Sequence, residues 1–353
     1  MQNKKNITFA EAIDKTLYKI FKNNNNAIII GLGVNDPKTI FGTTTTIKHK
    51  FPERVFDMPL SENSMTGIVT GASLNGLKPI LVHQRLDFAL LSMEQIINQA
   101  AKWFYMFDGK KNVPILIRMI VGRGWGQGPQ HSQSLQSIFS HIPGLKVVMP
   151  STVESAQNLL SSSFNEKNPV IFIEHRWLHN IKGKEILISR KDKIGKSRII
   201  KKGKDISIIS SSYMTIEALR ILKYLNEYKI DAELIDLQTI SPVDNKTIIN
   251  SVNKTGKCLV LDTGHKSFGL SAEIISSITE NCYSKLKSKP IRIANPDYPV
   301  PTSFSLSKYY YPSKYEIFET ILKILKIKKK PPKVLISKDK FQDQPFEGFT
   351  GPF

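Results

Sequence analysis

Three stretches of the 353-residue chain carry side chains whose types and spacing can do chemistry. The first is Leu60-Ser61-Glu62-Asn63-Ser64-Met65-Thr66-Gly67, which runs into a small-residue helical stretch at 68–75. A lone glutamate beside a helix start ordinarily complements the helix dipole. A carboxyl buried there can also share a proton with a ring nitrogen, which an exposed one does less well. The second is Asp87-Phe88, just beyond the apolar run 79–84, where a Phe either packs in a core or stacks on a planar ligand. The third is Gly122-Arg-Gly-Trp-Gly-Gln-Gly-Pro129, followed by His131-Ser132-Gln133-Ser134. Its glycines imitate a phosphate loop, but no Lys-Ser/Thr pair follows and the spacing is wrong. The alternative is a backbone-exposing loop that presents His131 at a pocket mouth. No His/Cys/Asp/Glu cluster has metal-ligand spacing, and no nucleophile elbow is present.

These residues need elements to hold them. Stretches 27–34, 79–84, 113–121, 145–150 and 169–175 are short, apolar and rich in β-branched residues, as buried parallel strands are. Between them, Met93, Ile96, Ile97, Ala100 and Phe104 recur at helical spacing and predict a helix over 92–107. Ser151 and Glu154 form a capping-box signature for a helix over 152–165. A second series comes after these, with strands expected at 205–211, 231–237, 257–262 and 290–294 and helices at 215–228, 270–282 and 314–327. Strands alternating with helices make this an α/β protein with parallel sheets, and its length suits two domains.

The formal charge of +20 first suggests nucleic acid or an anionic membrane. Its distribution argues against both. Residues 182–204 hold ten Lys/Arg and two acids, and residues 323–340 hold eight Lys and one acid. These 41 residues carry 15 of the 20 charges, without the interleaved aromatics of single-strand binders. The expectation is therefore solvated connectors, with neither nucleic acid nor membrane as partner. No apolar run approaches the length of a bilayer span. Residues 1–16 lack the apolar core of a secretory signal, and two cysteines make no disulfide framework, so the expected compartment is the cytoplasm. The expected domains are 1–181 and 205–327, with a basic linker at 182–204 and a C-terminal extension at 328–353.

Taken in order, the blocks resemble the β chain of thiamine-diphosphate-dependent 2-oxoacid dehydrogenases over about residues 7–327. The resemblance is carried by Phe56-Asp-Met-Pro-Leu-Ser-Glu62, Gln95-Ile-Ile-Asn-Gln-Ala-Ala-Lys-Trp103 and Gln130-His-Ser-Gln-Ser134. Pro143-Gly-Leu-Lys-Val-Val-Met-Pro150, Asn168-Pro-Val-Ile-Phe-Ile-Glu174, Ile235-Asp-Leu-Gln-Thr-Ile-Ser-Pro-Val243 and Pro299-Val-Pro-Thr302 extend it. It implies a pyrimidine-binding α/β domain followed by a transketolase C-terminal domain. Glu62 then matches the glutamate that hydrogen-bonds N1′ of the aminopyrimidine. Phe88 matches the aromatic that stacks on that ring, with Gln84 and Arg85 beside the cofactor. His131 matches the pocket histidine that guides acyl transfer or stabilises charge at the substrate carboxylate. A monovalent-cation site, with K+ as its ion, maps onto Ile115, Ser163, Phe164, Glu166 and Asn168.

The Gly-Asp-Gly and downstream Asn that hold Mg2+ and the diphosphate in this superfamily are missing here. The resemblance thus implies an α subunit that supplies this half of the site, in a tetramer of two α and two β chains. The expected reaction is decarboxylation of a pyruvate-like 2-oxoacid, with the acyl group passed to the lipoyl domain of an acyltransferase. The chain departs from the pyruvate-type pattern at His83-Gln84-Arg85-Leu86-Asp87 and at Gln238. Arg85, Arg123 and Trp125 would suit an anionic or hydroxylated substrate. They motivate the alternative, a transketolase-like carboligase that transfers a two-carbon unit to a sugar or aldehyde.

Overall fold

The computed structural model describes residues 6–124, 126–185 and 193–336. Two parallel-rich sheets organise them. The first has seven strands in the spatial order Thr239–Ser241, Lys146–Val148, Val170–His175, Leu116–Val121, Lys78–His83, Ala27–Gly31 and Val55–Phe56. All neighbours are parallel except the first pair. The central strands Leu116–Val121 and Val170–His175 are buried at every position, which is why they read as apolar runs interrupted only by Arg118, Glu174 and His175. The second sheet has five strands: Ile291–Asn295, Cys258–His265, Ile206–Ser210, Ala232–Asp236 and the antiparallel edge strand Arg198–Lys201.

One face of the first sheet packs against the helices Phe9–Asn23 and Val153–Phe164 through Phe9, Leu17, Phe21, Leu159 and Leu160. The other face packs against the helix Glu62–Leu74 and the segment after Leu86. That second apolar cluster also contains Ile209 and Ile235 of the second sheet, so one core runs through both halves. Polar bonds cross the same seam. Gln136 Nε2 donates to Asp262 Oδ1 at 2.8 Å, and the Ser134 and Thr263 hydroxyls lie 2.9 Å apart.

Several local expectations shift. The apolar pattern at 92–107 does not make one α-helix. A 3₁₀ turn, Leu86–Ser92, leads to a π-helical turn, Gln95–Ala100, and a short α-helix, Trp103–Met106. The small residues there allow a close backbone approach. A Cβ on Gly144, whose φ is +100°, would lie 2.0 Å from the Ala101 carbonyl oxygen. The extra residue of the π turn re-aims the short helix beyond it. The next helix is capped by Thr152 and Ser155, not by Ser151 and Glu154. Ser151 instead donates to the Asp236 carboxylate of the second sheet. The helix expected from residue 68 begins six residues earlier, at Glu62.

Helix Asn245–Thr255 was not foreseen, because its polar sequence hides a short apolar stripe. Asp244 caps its start, and Gly256, with φ +69°, ends it in the left-handed region. The basic segment expected as a linker is strand-paired near both ends. Lys182–Lys184 pairs with Asn6–Thr8, and Arg198–Lys201 edges the second sheet. Residues 186–192 within that segment and 337–353, most of the C-terminal extension, lie outside the described residues, as does Trp125. Among the described residues, no helix is long and apolar enough to cross a membrane.

Candidate functional site

In open parallel sheets, ligands bind beyond the carboxyl ends of the strands. The sequence-predicted residues gather at that edge of the first sheet. Glu62 follows the strand Val55–Phe56 and opens the helix Glu62–Leu74. It is 7% exposed, and its carboxylate has no hydrogen bond or ion pair among the described residues. The helix packs against the turn Leu86–Ser92, which carries Phe88 after the strand Lys78–His83. Phe88 is half-buried, and its ring meets the edge of His131 at 5.5 Å between centroids and 85° between planes.

The loop after Leu116–Val121 brings His131 to this place. A Cβ on Gly122 would fall 2.0 Å from the His131 carbonyl oxygen and 2.9 Å from Arg85 Nε, so only glycine lets these groups close together. Gln133 then donates twice to Asp87 Oδ1, from its backbone N at 3.2 Å and from Nε2 at 2.8 Å. Burial pushes the Asp87 carboxyl up from its ordinary range, and the Gln133 bonds and the nearby His131 oppose that rise.

Arg85 is 4% exposed. Its Nη1 donates to the Gln84 carbonyl at 2.8 Å, and its Nε donates to Gln127 Oε1 at 3.3 Å. Burial brings its pKa down to about 10, against the pull of Asp87. The guanidinium lies 5.3 Å from the Phe41 ring centroid, and that of Arg176 lies 4.4 Å from the same ring. Phe41 belongs to a run of three non-glycine residues, Thr39–Phe41, with φ of +47° to +59°. Such backbone costs about 1–3 kcal/mol per residue and collects at functional edges. On the other side, the Gln84 amide fills the space a Cβ on Gly33 would need.

Two buried polar atoms at this edge lack partners among the described residues: His83 Nε2 and Gln127 Nε2. A group that arrives from outside the chain can satisfy such atoms. Burial alone takes the His83 pKa down to about 4, so its imidazole stays neutral and offers one donor and one acceptor. A carboxylate, a half-exposed aromatic ring and an imidazole on one edge can seat a planar, nitrogen-bearing ring. No group of three acids, histidines or cysteines able to hold a metal occurs among the described residues.

Arg123, which sequence reasoning grouped with Arg85, is placed elsewhere. Its guanidinium lies between the rings of Trp177 at 3.8 Å and Tyr311 at 3.7 Å, across the seam between the two halves. The residues matched to a monovalent cation collect around the end of helix Val153–Phe164. The Ile115 carbonyl accepts the Val170 N–H at 3.0 Å, and the Ser163 carbonyl accepts the Glu166 N–H at 3.2 Å. Glu166 pairs with Lys146 at 2.5 Å, while Ser163 Oγ and Asn168 Oδ1 are buried without partners. The Asp87–Gln133 fork and the buried Arg118–Glu174–His179 network are features that residue spacing did not signal. Both join residues more than 40 positions apart or hide them in strands that read as apolar.

Residues 5–181 match the family described as the transketolase pyrimidine-binding domain, and residues 195–317 match the transketolase C-terminal domain. The chain is 36% identical over 303 residues to the β subunit of the acetoin:2,6-dichlorophenolindophenol oxidoreductase of Cupriavidus necator, covering 85% of this chain and 90% of that relative. It is 32% identical over 322 residues to the pyruvate dehydrogenase E1 component β subunit of Acholeplasma laidlawii, with 91% and 98% covered. The corresponding subunit of Bacillus subtilis is 33% identical over 321 residues, with 90% and 98% covered. Among solved structures, a split-gene transketolase described as an inactive β4 tetramer superposes with a TM-score of 0.73 at 20% identity, covering 92% of this chain and 99% of that one. That last likeness is one of fold.

Proposed function

Because the chain belongs to the β-subunit family of 2-oxoacid dehydrogenases built from transketolase pyrimidine-binding and C-terminal domains, we propose that it forms half of a thiamine-diphosphate site completed by an α subunit. The observation that carries this reading is Glu62: a residue 7% exposed whose carboxylate has no hydrogen bond among the described residues, at the strand edge that also holds Phe88 and His131. A carboxyl at that edge with no bond to its own chain is free to meet a ring nitrogen, and an aminopyrimidine ring offers one. Thiamine diphosphate, when bound, supplies the electron sink for cleaving the bond to a 2-oxoacid carboxylate. Glu62 holds a proton against the ring nitrogen. Phe88 gives the ring an apolar face to lie on. His131, half-buried against Phe88, offers an imidazole that can orient the substrate carboxylate or move a proton during acyl transfer.

Gln84 and Arg85 lie beside this edge, with Arg85 bonded to the Gln84 carbonyl and to Gln127. The diphosphate and Mg2+ fall to the α subunit in this reading, in a tetramer of two α and two β chains. Ser163 and Asn168, with buried oxygens to offer, support a K+ ion at the end of helix Val153–Phe164 together with Ile115, Phe164 and Glu166. The domain limits are read as 1–181 and 205–327, flanked by the basic 182–204 segment and the 328–353 extension. Two free, buried cysteines suit the reducing cytoplasm. The relatives are named for 2-oxoacid dehydrogenase and acetoin-oxidising enzymes, which favours this reading over the carboligase.

The test is co-expression with a cognate α chain. The assembled enzyme should release CO2 from pyruvate or a related 2-oxoacid and acylate a lipoyl domain. Acetoin oxidation measured with a dye acceptor forms the second arm. Ligation to an aldehyde without lipoyl acylation would overturn the acyltransferase reading.

A further inference from the structure

The loop that carries His131 is anchored through a carboxylate on the turn that carries Phe88. Gly124, Gly126 and Gly128 precede the histidine with φ of +104°, +64° and +69°. A loop built this way is held by contacts more than by its own backbone, and its internal bond from His131 N to the Gly128 carbonyl is long, at 3.4 Å. The firm tie is the fork from Gln133 to Asp87 Oδ1, at 3.2 and 2.8 Å. Asp87 immediately precedes Phe88, and Gln133 lies two residues beyond His131. Across this fork the Phe88 and His131 rings meet edge to face at 5.5 Å. Asp87 is 8% exposed. A carboxylate so poorly solvated is an expensive way to hold a loop unless that loop must be held in one place.

We propose that Asp87 is a positioning residue: through Gln133 it fixes the His131 imidazole against Phe88, ready for transfer of the acyl group. This rests on reading His131 as the residue that guides transfer, and the role given to Asp87 is exerted through its bonds to Gln133. The Asn side chain keeps an oxygen able to accept both Gln133 bonds, whereas Ala has none.

The experiment uses the assembled enzyme with its α chain. Asp87→Ala should lower kcat for acyl transfer about 10- to 100-fold, the equivalent of losing charge-assisted hydrogen bonds. Affinity for thiamine diphosphate, followed by protein fluorescence, should stay within about threefold, because Glu62 and Phe88 remain. Asp87→Asn should restore most of kcat, and the double variant with Gln133→Ala should be no slower than Asp87→Ala alone, as coupled partners require. Hydrogen exchange should show residues 128–134 about tenfold less protected in Asp87→Ala and unchanged in Asp87→Asn. Should Asp87→Ala not assemble, Gln133→Ala, which loses the Nε2 bond and keeps the backbone one, should lower kcat and loop protection in the same direction by a smaller factor. Unchanged kcat, unchanged exchange, or a loss of cofactor affinity in step with kcat would overturn the proposal. If the wild-type enzyme transfers no acyl group, the functional reading fails, and the exchange measurement alone decides whether the fork holds the loop.

Discussion

The Arg123 guanidinium stands 3.7 Å from the Tyr311 ring centroid, an N-terminal-half cation laid on a C-terminal-half aromatic. Trp177 covers its opposite face at 3.8 Å, and Tyr213 lies 5.6 Å away. Both Arg123 and Tyr311 are buried, so the attraction acts in a medium that screens it little. Tyr311→Leu keeps apolar volume but removes the ring face. It should lower unfolding stability by about 1–2 kcal/mol, read from the urea midpoint. Arg123→Lys should fare little better, since an ammonium cannot lie flat between two rings. An unchanged midpoint in both variants would show that this sandwich does not hold the seam.

Glu62→Gln keeps the size and polarity of the side chain but removes its charge and its ability to hold a mobile proton. Turnover should fall at least about 100-fold, in the range of a lost general acid–base group. Co-elution with the α chain should persist, because the substitution leaves the helix start intact. Retained turnover would refute the role given to Glu62.

Gly33 has φ +77°, and a Cβ there would sit 2.1 Å from Gln84 Nε2. Gly33→Ala should therefore destabilise the chain by about 1–2 kcal/mol from backbone strain alone. It should also push Gln84 out of place, which a weaker thiamine diphosphate titration would reveal. A thermal midpoint equal to the wild type would show that the loop yields without cost.

Acid should weaken the fold in two stages. His83 and His179 are buried, and burial lowers each pKa from 6.5 to about 4; a bond to Glu174 opposes the shift at His179. Below pH 6.5 the unfolded imidazoles bind protons that the folded ones refuse, so stability falls as pH drops toward 4. Each contributes on the order of 3 kcal/mol to that loss. Arg118, 2.6 Å away, holds Glu174 down at about 2 despite burial, so its contribution is complete above 4.5 and is lost as pH falls toward 2. His83→Asn should shrink the stability difference between pH 7 and pH 4.5, measured by urea titration at both values. An undiminished difference would acquit His83.

The strands were legible because burial on both faces leaves a continuous apolar run, as at Leu116–Val121. Arg118 in the middle of that run gave no sign that it would be wholly buried against Glu174, because the partner lies 56 residues away. The helix expected at 92–107 shows the opposite limit. Apolar spacing marks which residues face inward, but a π turn keeps Ile96 and Ala100 inward while redirecting the chain beyond them. Ser151 reads as a cap because local sequence offers it a partner, yet a carboxylate from the second sheet takes it instead. At the candidate site, motif order singles out Glu62, Phe88 and His131, and each follows a strand of the first sheet. The Asp87 fork was not legible, since nothing in the spacing says that Gln133 turns back.

The pairing of Thr239–Ser241 with Lys146–Val148 makes the two halves share one sheet. A gene fragment stopping near residue 185 would leave the Lys146–Val148 edge with its amides and carbonyls bare, a template for another copy of itself. The second half would in turn lose the surface on which that short strand is laid. The smallest piece of this protein that can be made without a sticky edge is therefore larger than either of its domains.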